Sequence, residues 1–215
     1  MDVNSLFQYT AAFFIVLSLA GLAGMISERS GVVNIAIEGF MTFGALLFAI
    51  LVVVFMGAIM SLMHSFVAIK LKCDQIISGT AINLFMQGIG MFLVTSGVIG
   101  GDKTFIDGKY SLISIDSGNI FTVYLFITII ITACTGFYFT FTRTGNRHIA
   151  AGENPNALDA VGISVIKYRF LAVAASGAVA TLAGILFLIL LKSSTFYGSV
   201  DGFGFIGLAI MIIGQ

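Results

Sequence analysis

The chain has 215 residues, 59% of them hydrophobic and only 9% charged, with ten basic residues balanced by ten acidic ones. Soluble domains carry about 25% charged residues, and no soluble fold of this size hides so much apolar surface, so the solvent of most of this chain is lipid. Zero net charge leaves no basic face for nucleic acid, and Cys73 and Cys134 are too isolated for redox or metal spacing.

No Lys or Arg precedes Arg29. A secretory leader needs a basic start, so the first apolar run, 6–26, reads as a retained transmembrane helix with its N-terminus outside. Next comes SERSGVVNIAIEG, residues 27–39, which places Glu28, Arg29, Asn34 and Glu38 between two apolar segments. If this stretch is helical, Ser30, Asn34 and Glu38 share a face. Ionisable groups at membrane depth are expensive and usually face a cavity or a partner. Gly31 and Gly39 permit a helix break, a device that lines transporter cavities. The alternative is a short interfacial loop with a Glu28–Arg29 pair among lipid headgroups.

The second run, 40–69, would reach about 44 Å as a single helix, longer than a bilayer core. It is either one tilted helix or two helices, with a loop expected to be missing near Ile50–Leu51. Residues 70–74 carry Lys70 and Lys72 and read as cytoplasmic. The third span, 76–100, contains Thr80, Asn83 and Gln87 on one helical face. Amides there can bind a neutral polar ligand or join two helices. Residues 101–118 balance Lys against Asp and read as external. Span 119–142 leads into the basic segment 143–169, which reads as cytoplasmic, and span 170–191 returns to an external segment at 192–203. A last apolar run, 203–215, is still in progress at Gln215, so the subunit is expected to continue. Ala172, Ser176, Ala180 and Gly184 recur at four-residue spacing, as do Ala20 and Gly24, which suits close helix packing. The expected fold is all-α, a polytopic membrane bundle forming one transmembrane domain over 1–215.

Within the basic segment, Asn154 is suited to N-cap a short helix and Pro155 to open it. Gly162 can close it in the left-handed conformation. The spacing predicts a helix over 155–161 with Asp159 pointing outward. A helix this short is marginal alone, so it either docks on a partner or is an ordinary structured loop. His64, near the end of an apolar run, reads as interfacial, and His148 lies in the basic loop. Neither has metal spacing. No zinc-protease, nucleophile-elbow or P-loop motif occurs, so no catalytic residue, metal or cofactor is assigned to this chain.

The order of SERSGVVNIAIEG, FMTFGA, KLKCDQIISGTAINLFMQGIG, AAGENPNALDAVGI, YRFLAVAASGAVATLAGI and DGFGFIGLAIMIIGQ resembles the permease subunits of ABC importers for branched-chain amino acids, simple sugars and nucleosides. The ERSGVVNIAIEG form is similar to the nucleoside and simple-sugar branch. The resemblance covers nearly the whole chain. It implies a type II importer permease in the cell membrane, surrounded by lipid, paired with a second permease subunit. Cytoplasmic ATPase subunits carrying ATP and magnesium would bind it, and an extracytoplasmic lipoprotein would deliver the solute. Gly152, Glu153, Asn154, Ala157, Asp159 and Gly162 match the family's coupling region. Glu28, Asn34, Glu38, Thr80, Asn83 and Gln87 are the candidates for the translocation path or gate. Members of this family have further spans beyond the position of Gln215. Two other readings stay open from the residues: an ion-coupled transporter using Glu38, and a structural membrane protein held by its small-residue seams.

Overall fold

The computed structural model describes residues 3–50, 55–96, 123–192 and 196–214, without the side chains of 4, 47–50, 55 and 56. Among these residues the regular structure is helical. The expected external segment 101–118 and the expected loop near Ile50–Leu51 fall largely on residues outside this set.

α1 (Val3–Glu28) is apolar around its whole circumference and ends where the polar stretch begins. Residues 29–36 are turn and extended chain, and Gly31, at φ 80°, takes the left-handed conformation that redirects the backbone. α2 (Ile37–Ile50) then starts inside the bundle. α3 (Phe55–Ser65) runs on into a π-helical turn, Phe66–Lys70. α4 (Gln75–Thr95) is capped by Asp74, whose carboxylate accepts from the N–H groups of Ile76 and Ile77 at 2.7 and 3.3 Å. α5 (Val123–Phe141) leads through Thr142 into α6 (Arg143–Glu153). The short α7 (Pro155–Ala160) follows, then the long α8 (Val165–Leu191) and finally α9 (Phe203–Ile213). α4, α5 and α8, together with Ser5–Glu28 of α1, are long and apolar enough to cross a bilayer.

α8 is the axis of the molecule. Its Ala172, Ser176, Ala180 and Gly184 are all buried. An added Cβ at Gly184 would collide with the backbone carbonyl of Met41 in α2, so these two helices meet backbone to backbone. The α1 seam serves α9: Ala20 lies against Gly207 and Gly24 against Met211. Ile15 and Leu19 of α1, Phe40 of α2, Phe187 of α8 and Phe196 ahead of α9 fill the core between them. By contrast, α4 and α5 direct most of their apolar surface outward.

Candidate functional site

A chain that leaves helical geometry inside an apolar bundle exposes N–H and C=O groups that lipid cannot satisfy. Residues 29–36 meet this demand with side chains from other helices. The Val33 N–H donates to Gln75 Oε1 at 2.6 Å. Asn83 bridges both ends of the entry to α2: its Nδ2 donates to the Ile35 carbonyl at 2.8 Å and its Oδ1 accepts from the Gly39 N–H at 2.7 Å. Within the stretch, Ser27 Oγ donates to the Val32 carbonyl at 2.6 Å and Ser30 Oγ to that of Ser27 at 2.7 Å.

Ser30, Asn34 and Glu38 therefore do not share a helical face, because the turn and extended chain through 29–36 separate them. Asn34 is buried, and its Nδ2 donates to Ser176 Oγ in the middle of α8 at 2.8 Å, while its Oδ1 has no hydrogen-bond partner. Glu38 is fully buried at the start of α2 and spans to α9. Its Oε1 accepts from the Gly202 N–H at 2.8 Å and its Oε2 from the Gly204 N–H at 2.7 Å. A carboxylate on a helix N-terminus suits both the orphan donors and the dipole. The N-termini of α2 and α9 thus meet at one place inside the bundle.

The remaining candidates separate. Thr80 is exposed and its hydroxyl donates to its own helix, at the carbonyls of Ile76 and Ile77. Gln87 is half-buried higher on α4, and Glu28 is half-buried at the end of α1. Arg29 extends over the Phe139 ring, 5.7 Å from its centroid. His64 is fully buried, and its Nδ1 hydrogen-bonds Ser78 Oγ at 3.0 Å. A cavity of about 590 Å³ opens beside Val33, Ile35, Asp74 and Gln75, at the second half of the broken stretch.

The loop between α5 and α8 is built as its residues dictate. Asn154 Oδ1 accepts from the Ala157 N–H at 3.1 Å, with Pro155 as the first helical residue. α7 closes at Gly162, φ 75°, where the Gly162 N–H donates to the Asp159 carbonyl and the Ile163 N–H to that of Leu158. This is the paired closure that a left-handed glycine permits. Leu158 anchors α7 against Ala151 and Val165. Glu153, Asn154, Ala157, Asp159 and Gly162 stay exposed, and Gly152 is half-buried. Asp159 also accepts from the Val165 N–H at 3.5 Å, at the start of α8.

Arg169 and His148, to which the sequence assigns no role, join Gly152 of the coupling region in holding this loop to the broken stretch. Arg169 donates through Nε to the Ser30 carbonyl and through Nη2 to the Ala151 carbonyl, both at 3.1 Å. His148 Nε2 donates to the Ile26 carbonyl at 2.9 Å, which leaves Nδ1 to accept from the Tyr138 hydroxyl at 3.4 Å. Burial holds the His148 imidazole below its ordinary pKa and the nearby Arg29 charge acts in the same direction, against the pull of the Ile26 carbonyl. Gly152 touches the turn itself: a Cβ there would lie 2.6 Å from the Arg29 carbonyl oxygen and 2.8 Å from the Gly31 nitrogen. One signal was available in the sequence. Pro155 has no N–H to give the carbonyl four residues before it, so Ala151 requires a donor from elsewhere.

Residues 6–215 match the family model described as the permease component of the branched-chain amino acid transport system. The chain belongs to this family. It is an ABC-type, multi-pass membrane permease. Among its relatives, an uncharacterized protein of Mycoplasma genitalium is 34% identical over 97% of this chain and 77% of its own length. The guanosine ABC transporter permease protein NupQ of Bacillus subtilis is 32% identical over 96% of this chain and 74% of its own length. The nucleoside ABC transporter permease protein NupC of Lactococcus lactis is 29% identical over 100% of this chain and 78% of its own length. No solved structure matches the chain.

Proposed function

We propose that this permease forms half of the path of an ATP-driven importer for a nucleoside. Similarity to the nucleoside and guanosine permeases over nearly the whole chain carries the choice of solute class; a simple sugar is the runner-up. ATP and magnesium would reside on partner ATPase subunits, a lipoprotein would deliver the solute, and a second permease subunit would complete the path.

The geometry supports a division of labour. α7 presents Ala157 and Asp159 on a doubly capped helix, with Glu153 and Asn154 exposed just ahead of it, a shape suited to docking in a groove of an ATPase. The break at 29–36, beside the cavity at Val33 and Gln75, is the element that can open and close. Glu38 and Asn83 hold the two half-helices of the gate, Asn34 offers an unpartnered carbonyl oxygen there, and Thr80, Gln87 and Glu28 are assigned to other parts of the path. Transport then follows from two packings of the same bundle, biased by ATP on the partners. Proton coupling through Glu38 fits less well, since both of its oxygens already accept backbone N–H groups of α9.

The test is a pull-down of the full-length subunit from its native membrane, followed by uptake in proteoliposomes. Co-purification of an ATPase, with ATP-dependent uptake of labelled guanosine over glucose, is expected. Uptake without ATP that collapses with the ion gradient would overturn the importer reading. ATP-dependent glucose uptake would overturn only the solute.

A further inference from the structure

The C-terminus of α1 is capped from a distance, by side chains of the α5–α8 loop and the first turns of α8. Two carbonyls at the end of α1, and a third near the end of α6 that shares a donor with one of them, show it. That of Ile26 loses its helical donor because the Ser30 N–H turns to Ser27 instead, and His148 of α6 replaces it. The Ser30 carbonyl has no helical donor because the chain leaves helical geometry at 29–36. The Ala151 carbonyl has none because residue 155 is proline. Arg169 serves both of these last two with one guanidinium.

Ser30 and Ala151 sit at the C-terminal ends of two different helices, where unsatisfied carbonyls concentrate partial negative charge. A planar, permanently charged fork can hold two such carbonyls at fixed separation, whereas an ammonium is a single point charge. Gly152 packed on the Arg29–Gly31 backbone fixes the same contact from the other side. α7 begins three residues beyond Gly152, and Asn34 lies three residues beyond Gly31.

From this geometry we infer that Arg169 is the positioning residue of a rigid joint between the 28–31 turn and the end of α6. Through it, displacement of α7 is delivered to the broken stretch holding Asn34, and on to Glu38 at the start of α2. The inference rests on the importer reading and deepens it. α7 is where a partner would push, 29–36 is where the bundle can yield, and Arg169 joins them without touching solute or nucleotide.

The test uses the full transporter, with its ATPase subunits, in proteoliposomes, comparing wild type, Arg169→Lys and Arg169→Gln. Solute uptake per ATP hydrolysed is expected to fall about tenfold in both variants, the loss of one charge-assisted hydrogen bond, while ATPase binding and hydrolysis stay within about twofold. Hydrogen exchange supplies the second readout. ATP is expected to change protection at both 152–162 and 29–36 in wild type, and at 152–162 alone in Arg169→Lys. Unchanged uptake per ATP in Arg169→Lys, or no ATP-dependent change at 29–36 in wild type, overturns the joint. If Arg169→Gln does not assemble, those two results still decide. A wild-type transporter that shows no ATP-dependent uptake refutes the importer reading instead.

Discussion

Two helix N-termini in this molecule are capped by opposite means. α7 is capped by its own neighbour, Asn154, at an exposed position. α9 is capped by Glu38, brought from the start of α2 into the buried centre of the bundle. Water can replace the first cap and cannot replace the second. The local cap defines a piece that can move as a unit, and the distant cap ties two half-helices into one tertiary element. The same contrast recurs at helix C-termini: α7 closes on its own Gly162, while α1 closes on His148 and Arg169.

The largest effect is expected where a distant cap is removed. Glu38→Leu leaves the half-buried Gly202 and the buried Gly204 N–H groups without acceptors, at about 1–3 kcal/mol for each. Thermal unfolding followed by circular dichroism in detergent should show destabilisation of about 4 kcal/mol, or loss of the folded subunit from the membrane. Glu38→Gln keeps a carbonyl acceptor for one of the two donors and should cost about half as much. A loss no larger for Glu38→Leu than for Glu38→Gln would mean that α9 does not depend on this cap.

Asn83 comes next, since it caps the entry to α2 from α4. Asn83→Leu strands the Gly39 N–H and the Ile35 carbonyl and should cost about 2–3 kcal/mol. The local cap stands at the other extreme. Asn154→Ala should cost only about 1 kcal/mol, measured in the same unfolding experiment, because solvent reaches the freed Ala157 N–H. Its larger consequence is expected in binding: the frayed α7 should lower recovery of the ATPase in a pull-down while the bundle stays folded.

The local devices were legible in the sequence for the same reason that they are cheap to lose. Asn154, Pro155 and Gly162 act within one helical turn of the groups they satisfy, so spacing alone indicates a capped helix. The seams at Ala20–Gly24 and Ala172–Gly184 were legible too, since small residues at four-residue spacing need only the helical period to share a face. The destination of Glu38 was not. Its partners lie 164 and 166 residues away, and a helical reading of 30–38 placed it on a face with Ser30 and Asn34 that the chain never forms. Thr80, Asn83 and Gln87 share a period but not a surrounding: Asn83 meets α2 where the chain is broken, Thr80 looks outward, and only tertiary contacts distinguish them. The Ser78 partner of His64 was not legible either, because only tertiary contacts bring α3 and α4 together there.

The smallest effect, and the one that probes the distant C-cap of α1, is a pH dependence at His148. The folded protein holds this imidazole below its ordinary pKa, chiefly by burial, with Arg29 adding to the shift. Tyr138 faces its other nitrogen through a hydroxyl that donates, which suits a neutral ring. The folded state therefore binds fewer protons than the unfolded chain around the ordinary imidazole value, and stability rises with pH there. His148's contribution is fully present above about pH 6.5 and is lost progressively as the pH falls below it, when charging the ring must overcome burial. Unfolding measured between about pH 7.5 and about pH 5.5 should show this slope in wild type. His148→Gln, whose amide can still donate to the Ile26 carbonyl but does not titrate, should flatten it. An equal slope in both proteins would place the titrating group elsewhere.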